Sequence, residues 1–274
     1  KNATCMALPT NQAIHPPRNE GDLMRIENEE QPFHPIYNYA LITDSEEGLI
    51  LVDVNTLADG LPRNNFLKRS LTWNENNVLD GARHITIAGH IVYITTPDAL
   101  VVLDLNDPLS PKLLNRIKMN DPRASALQFR YLLVTDKDGV KIFDATSPNN
   151  IKSSPVAVVP LNDARKVYIA RTYAYVAAGK EGLAIIDVKN PEKPFINQIF
   201  TADGKINDAQ DVIVGSTNAS LFAYVADGRN GLKVIQLTAP DTQPRYYGFS
   251  PEPKPQLIAW WRTEYPALSL SKGL

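Results

Sequence analysis

Short apolar runs, rich in Val, Ile, Leu and Tyr, recur along the chain without helix-length periodicity, and they predict β-strands. The runs come in pairs. Residues 37–44 are followed by 48–53, 91–96 by 99–104, 131–136 by 139–144, 174–178 by 182–187, and 223–227 by 231–236. The second run ends on Asp53, Asp104, Asp144 and Asp187, with Gln236 in the fifth copy, at spacings of 51, 40, 43 and 49. Gly48, Gly139, Gly182 and Gly231 close the turn within four of the pairs, where a tight hairpin calls for positive φ. Pro108, Pro148, Pro191 and Pro240 then stop the strand. A further apolar stretch follows (112–119, 156–161, 195–200, 246–249), and another strand precedes each of the last four pairs (84–88, 125–129, 166–170, 211–214).

Four short antiparallel strands in about 40 to 50 residues are the signature of a β-propeller blade. A lone blade cannot cover both faces of its sheet, whereas blades stacked around an axis can. The expected fold is therefore all-β, a propeller of four-stranded blades. Five blades are expected in residues 37–261, with six as the alternative count if residues 1–36 build a degenerate blade. Otherwise residues 1–36 are an N-terminal extension and 262–274 a C-terminal tail. The first copy lacks an inner strand. The orphan run Pro255–Trp261 is expected to supply it and close the ring, with Asp22–Ile26 as the rival donor; the Trp260–Trp261 pair is then core.

Ala174-Tyr-Val-Ala-Ala178 with Gly182-Leu-Ala-Ile-Ile-Asp-Val188 and Asn190-Pro191 resembles the LVIVD-repeat propeller family. Ala223-Tyr-Val-Ala-Asp-Gly228 with Gly231-Leu-Lys-Val-Ile235 is similar to it as well. The resemblance spans roughly residues 37–249. It departs at Gln236 and in the first copy, whose turn after Asp53 lacks the proline. It implies a propeller and a secreted or surface-associated binding module with no common catalytic chemistry.

Composition narrows the classes. Of 274 residues, 43% are hydrophobic and 21% charged, which is globular rather than disordered. A net charge of −2 offers no basic surface for nucleic acid. The apolar runs are too short to cross a bilayer as helices. Single Cys5 forbids an internal disulfide. The chain begins at Lys1, so a processed N-terminus is expected. Asn2-Ala-Thr4 and Asn218-Ala-Ser220 match the glycosylation acceptor pattern and agree with an extracytoplasmic protein.

One position recurs before each of four inner strands: Arg83, Arg123, Arg165 and Gln210. These four are the candidate ligand-binding residues at the channel mouth. Arginines about 10 Å apart in a partly screened site repel by about 0.5–2 kcal/mol per pair. An anionic ligand, an acidic partner loop, or the chain's own acids must offset that. Asp80, Asp121 and Asp163 lie two or three residues earlier, and Asp44, Asp98, Asp136, Asp138, Glu181 and Asp227 sit in hairpin turns on the same face. Asp53, Asp104, Asp144 and Asp187 fall at the opposite end, where they would accept backbone N–H groups of the next turn. Asp136-Lys-Asp-Gly139 lacks the later ligands of a calcium loop. His15, His34, His84 and His90 show no metal-ligand spacing, and no nucleophile elbow, P-loop or dinucleotide fingerprint is present, so neither a metal nor a cofactor is expected. His84 follows Arg83 on a strand and should face away from it. Cys5 falls in the expected extension, without a built pocket.

The reading reached is a non-catalytic binding module of an exported or cell-surface protein, taking a protein partner or a small anionic ligand. The alternatives are a hydrolase or lyase holding an anionic substrate in the central channel, and a calcium-stabilised adhesion module.

Overall fold

A computed structural model describes residues 2–9, 34–54, 56, 62–217, 220–241 and 249–271. Its strands form five four-stranded antiparallel sheets. Sheet I holds β1 (Ala3–Ala7), β2 (Tyr39–Asp44), β3 (Gly48–Asp53) and β4 (Lys68–Trp73). Sheet II holds β5 (His84–Ala88), β6 (Ile91–Thr95), β7 (Ala99–Asp104) and β8 (Lys112–Lys118). Sheet III holds β9 (Ala124–Gln128), β10 (Tyr131–Asp136), β11 (Gly139–Asp144) and β12 (Ala157–Pro160). Sheet IV holds β13 (Lys166–Ala170), β14 (Tyr173–Ala177), β15 (Leu183–Asp187) and β16 (Phe195–Phe200). Sheet V holds β17 (Asp211–Thr217), β18 (Ser220–Ala226), β19 (Leu232–Thr238) and β20 (Gln256–Trp261). The predicted hairpin pairs are the two middle strands of every sheet, and each strand lies beside the one that precedes it in sequence, as in a propeller blade.

The chain divides into two compact units, Lys1–Asp121 with Ser147–Ile151, and Pro122–Thr146 with Lys152–Leu274. In the first unit β1 packs beside β5, and Leu41, Leu49 and Leu51 of sheet I meet Ile85, Val92 and Ile94 of sheet II in one fully buried cluster. In the second unit β9 packs beside β13 and β13 beside β17. Leu133, Val140 and Ile142 meet Ala174, Val176 and Ala184 on one face of sheet IV. Tyr175, Ile185 and Leu183 meet Val212, Val225 and Ile235 on the other. Sheet IV is therefore buried on both faces, which explains why its middle strands read as near-continuous apolar runs.

Three expectations fail. Gln256–Trp261 is not the inner strand of sheet I. It is the outer strand of sheet V, pairing Leu232 with Trp261 and Gln236 with Gln256, because β19 has a second edge to satisfy. Ala3–Ala7 takes the inner place instead, and the Thr4 hydroxyl donates to the Ala82 carbonyl at 2.8 Å. Cys5 thus lies in a strand packed on the first unit's core rather than in a tail. Trp260 and Trp261 are exposed (61% and 73%), because an outer strand has no sheet edge beyond it. The stretch 246–249, expected as an outer strand, is described only at Phe249, and Asp22–Ile26, His15 and Asn218 lie outside the described residues.

Candidate functional site

The backbone places Arg83, Arg123, Arg165 and Gln210 equivalently. Their amides donate to the Thr95, Thr135, Ala177 and Ala226 carbonyls at 2.8, 2.8, 2.8 and 2.7 Å, the last rungs between the first and second strands of sheets II to V. The acid two residues earlier is held by the turn entering each strand. Asp121 and Asp163 adopt φ of 61° and 54°, a conformation that Asp tolerates better than most residues.

The side chains close on these acids. In the first unit Arg83 Nη1 donates to Asp121 Oδ1 at 2.5 Å. In the second unit the contacts form a ladder. Arg123 Nη1 donates to Asp163 Oδ1 at 2.5 Å, and Asp163 Oδ2 accepts from Arg165 Nε and Nη2 at 2.9 and 2.7 Å. Arg165 Nη1 reaches Asp208 Oδ1 at 2.9 Å, which also accepts from Gln210 Nε2 at 2.8 Å. Each arginine therefore reaches forward to the aspartate that opens the next repeat. Asp80, considered beside Arg83, accepts instead from Asn74 Nδ2 at 2.7 Å.

Burial alone would raise the Asp163 carboxyl, but its bonds to Arg165 and Arg123 outweigh that and hold it below the ordinary aspartate value. Burial would lower Arg165, yet Asp163 and Asp208 more than reverse it, so its pKa is raised. These groups are charged and mutually satisfied at neutral pH. They line an open cleft of about 520 Å³ with Asn162, Lys180, Glu181 and Asn207.

Asp208 went unnoticed in the sequence, although a signal was present. Asn120-Asp121, Asn162-Asp163 and Asn207-Asp208 stand two residues before Arg123, Arg165 and Gln210. Beneath Asp208, fully buried Asp227 Oδ1 accepts from the Asp208 and Asn207 amides at 2.7 and 3.1 Å. Lys233, also buried, stands 3.8 Å from Asp227 Oδ2 and donates to the Asn230 carbonyl at 3.0 Å. Burial pushes the Asp227 carboxyl up, and the two amides and Lys233 offset only part of it. Asp136 and Lys141 form a comparable hydrogen-bonded pair in sheet III. Asp136 Oδ1 accepts from the Asp138 and Gly139 amides at 2.8 and 3.0 Å, so its carboxylate closes the hairpin turn considered as a calcium loop.

At the opposite sheet ends the recurrent aspartates behave as expected. Asp104, Asp144 and Asp187 accept from the amides of Asn106, Thr146 and Lys189 at 2.7, 2.9 and 2.8 Å. His84 opens β5, and alternation turns its side chain from the face that Arg83 takes. His90 stacks on His34, with ring centroids 5.6 Å apart, a pairing absent from the sequence reading. Among the described residues no group of three His, Cys, Asp or Glu side chains is placed to hold a metal ion.

Replacing Arg165 by Gln should lower the unfolding free energy by about 1 kcal/mol at pH 7, the modest value reflecting partners that are more than a third exposed. Folding lowers the Asp163 pKa, so the contribution is full above the ordinary aspartate value near 3.9 and fades as pH falls through the folded value. Urea unfolding at pH 7 and pH 3 should show the larger deficit at pH 7.

Blade-like sheets joined by this ladder define a protein of the β-propeller class. The chain is an LVIVD-repeat protein: the LVIVD repeat model matches residues 37–58, 81–118, 162–201 and 208–240. No curated protein matches the sequence. A functionally unknown protein from Desulfotomaculum acetoxidans is similar in structure, with a TM-score of 0.61 at 10% identity over 85% of this chain and 71% of its own. A protein from Lactobacillus plantarum gives a TM-score of 0.62 at 14% identity over 83% of this chain and 69% of its own. At such identities these likenesses bear on the fold alone.

Proposed function

We propose that this propeller is a non-catalytic interaction module of an exported or cell-surface protein, and that it takes a protein partner. The observation that carries this reading is the closed charge ladder. Arg123, Asp163, Arg165, Asp208 and Gln210 satisfy one another at 2.5–2.9 Å. A general base works best with a pKa near the operating pH, and the Asp163 carboxyl is shifted away from it. A small anion entering the cleft would have to displace Asp163 or Asp208 from Arg165, exchanging one charge-assisted pair for another. The ladder thus suits a rigid rim better than a reaction centre.

Large side chains left in solvent support recognition by contact. Phe129, Phe249, Trp260 and Trp261 are all exposed in the second unit. No helix among the described residues is long and apolar enough to cross a membrane.

A photocrosslinking amino acid placed at Phe129, Trp260 or Lys180 in the protein's own cells tests the reading. At least one site should give a single discrete adduct, in a fraction outside the cytoplasm. Adducts spread over many proteins in proportion to abundance, or none at any site, would overturn it.

A further inference from the structure

The sheet ends opposite the ladder carry a second feature. The hairpin between β5 and β6 turns on Gly89 with φ 63°. At the same place in sheet III stands Phe129 with φ 52°, and in sheet IV Arg171 with φ 57°. A left-handed backbone is unfavourable for an L-residue, and Phe is not among the residues that tolerate it. Phe129 is also 92% exposed, so burial offers no compensation. Neither local conformation nor core packing accounts for an aromatic here.

Its surroundings are built. Gln128 Nε2 donates to the Arg171 carbonyl at 2.8 Å and ties the two hairpins together. The Thr172 and Ser250 hydroxyls, 2.6 Å apart, fix the segment carrying Phe249, and the Arg171 guanidinium lies 5.9 Å from the centre of that ring. Phe129, Phe249, Tyr131 and Arg171 border a groove of about 290 Å³. Lys189 stands exposed at its rim, and Arg130 lies 5.0 Å from the centre of the Tyr131 ring. Among the described residues one cation there lacks an acidic partner and one amide oxygen lacks a donor. Arg171 has no carboxylate within ion-pair distance, whereas Arg130 has Glu192 at 3.6 Å. Gln128 Oε1 is buried and accepts no hydrogen bond. Its amide cannot be flipped, because the oxygen would then face the Arg171 carbonyl.

We infer that this groove docks an extended acidic segment of a partner protein. A carboxylate pairs with Arg171, and an apolar side chain lies between Phe129 and Phe249. Among the described residues the groove offers Arg171, Lys189 and an Arg130 already paired with Glu192, enough for the carboxylate of a peptide and fewer than the cation clusters that hold an anionic bilayer. The inference rests on the interaction-module reading and adds the place and the partner's chemistry.

The test is selection of a displayed random dodecapeptide library on the intact chain and on the double variant Phe129→Gly, Arg171→Asn. Both replacements suit a positive φ, and a cooperative thermal transition at or above that of the intact chain confirms that the variant folds. The intact chain should enrich peptides with Asp or Glu beside Phe, Leu or Trp, and the synthesised peptides should bind the variant at least tenfold more weakly by fluorescence anisotropy. Enrichment of non-acidic peptides, or equal binding to the variant, sinks the groove while leaving the module reading in place. Binding to phosphatidylserine vesicles that the variant loses, with no peptide enriched, replaces the partner by a membrane and overturns the inference. Failure of crosslinking in cells sinks the module reading itself.

Discussion

Lys233→Met should lower the unfolding free energy by about 3 kcal/mol at pH 8, with much of that loss recovered near pH 5. Asp227 is fully buried, and its Oδ2 has no hydrogen bond among the described residues, only Lys233 at 3.8 Å. Removing the ammonium leaves a carboxylate with two backbone amides and no counter-charge. Burial already raises its folded pKa, and losing Lys233 raises it further. A carboxyl whose folded pKa exceeds its unfolded value near 3.9 contributes most below 3.9 and loses that contribution as pH rises through the folded value. The deficit of the variant must therefore grow with pH. Adding Asp227→Asn should restore all but about 1 kcal/mol, since the amide keeps an acceptor for the Asp208 and Asn207 N–H groups and carries no charge. Urea titrations at pH 5 and pH 8 decide it. Equal losses at both, unchanged in the double variant, would mean that Lys233 acts through packing alone.

This pair also shows where the sequence was legible and where it was not. Strand pairing was readable because middle strands are buried on both faces and become apolar runs, and because Gly, Pro and Asp punctuate them at fixed places. Sheets II to IV were therefore traceable almost strand by strand. Outer and end strands follow weaker rules. β1 is Ala-Thr-Cys-Met-Ala, short and mostly solvent-facing, and nothing in its pattern separates it from a tail. β20 is apolar yet outermost, so its two tryptophans mimic a core strand. The four recurrent site residues were visible as a repeat, and so were three of the acids beside them. The partner chosen by each arginine was not, because it depends on reaching one repeat ahead. Lys233 is one buried ammonium among many solvated lysines, and sequence gives no way to single it out. Phe129 stood in plain view as the end of a predicted strand, and only its positive φ and its exposure reveal it as anomalous.

Thr135→Val should cost about 2 kcal/mol, although it swaps one atom for another of similar size. The Thr135 hydroxyl is fully buried. It accepts from the Ala124 amide at 3.0 Å and lies 3.2 and 3.0 Å from the Ala124 and Arg165 carbonyls. One oxygen thus couples sheet III to the residue that anchors the ladder on sheet IV. Thr4 does the same in the first unit, bridging Thr43 and the Ala82 carbonyl. Sheets IV and V carry Ala177 and Ala226 at the place of Thr135 and make the link differently. There Gly179 exchanges two backbone hydrogen bonds with Ala209, and Gly228 exchanges two with Ala267. Where the threonine is missing, a glycine backbone takes over, linking sheet IV to the next repeat and sheet V to the C-terminal segment, which marks the hydroxyl as a joint rather than as filler. Valine keeps the volume and strands the Ala124 amide in an apolar setting. Thr135→Ser keeps the oxygen and should lose no more than about 1 kcal/mol, the transfer value of a single methyl-sized group. Amide hydrogen exchange at Asp163, Ala164 and Arg165 should quicken in the valine variant and not in the serine one. Equal destabilisation by both would place the effect in methyl packing and remove the hydroxyl from the account of how the ladder is held.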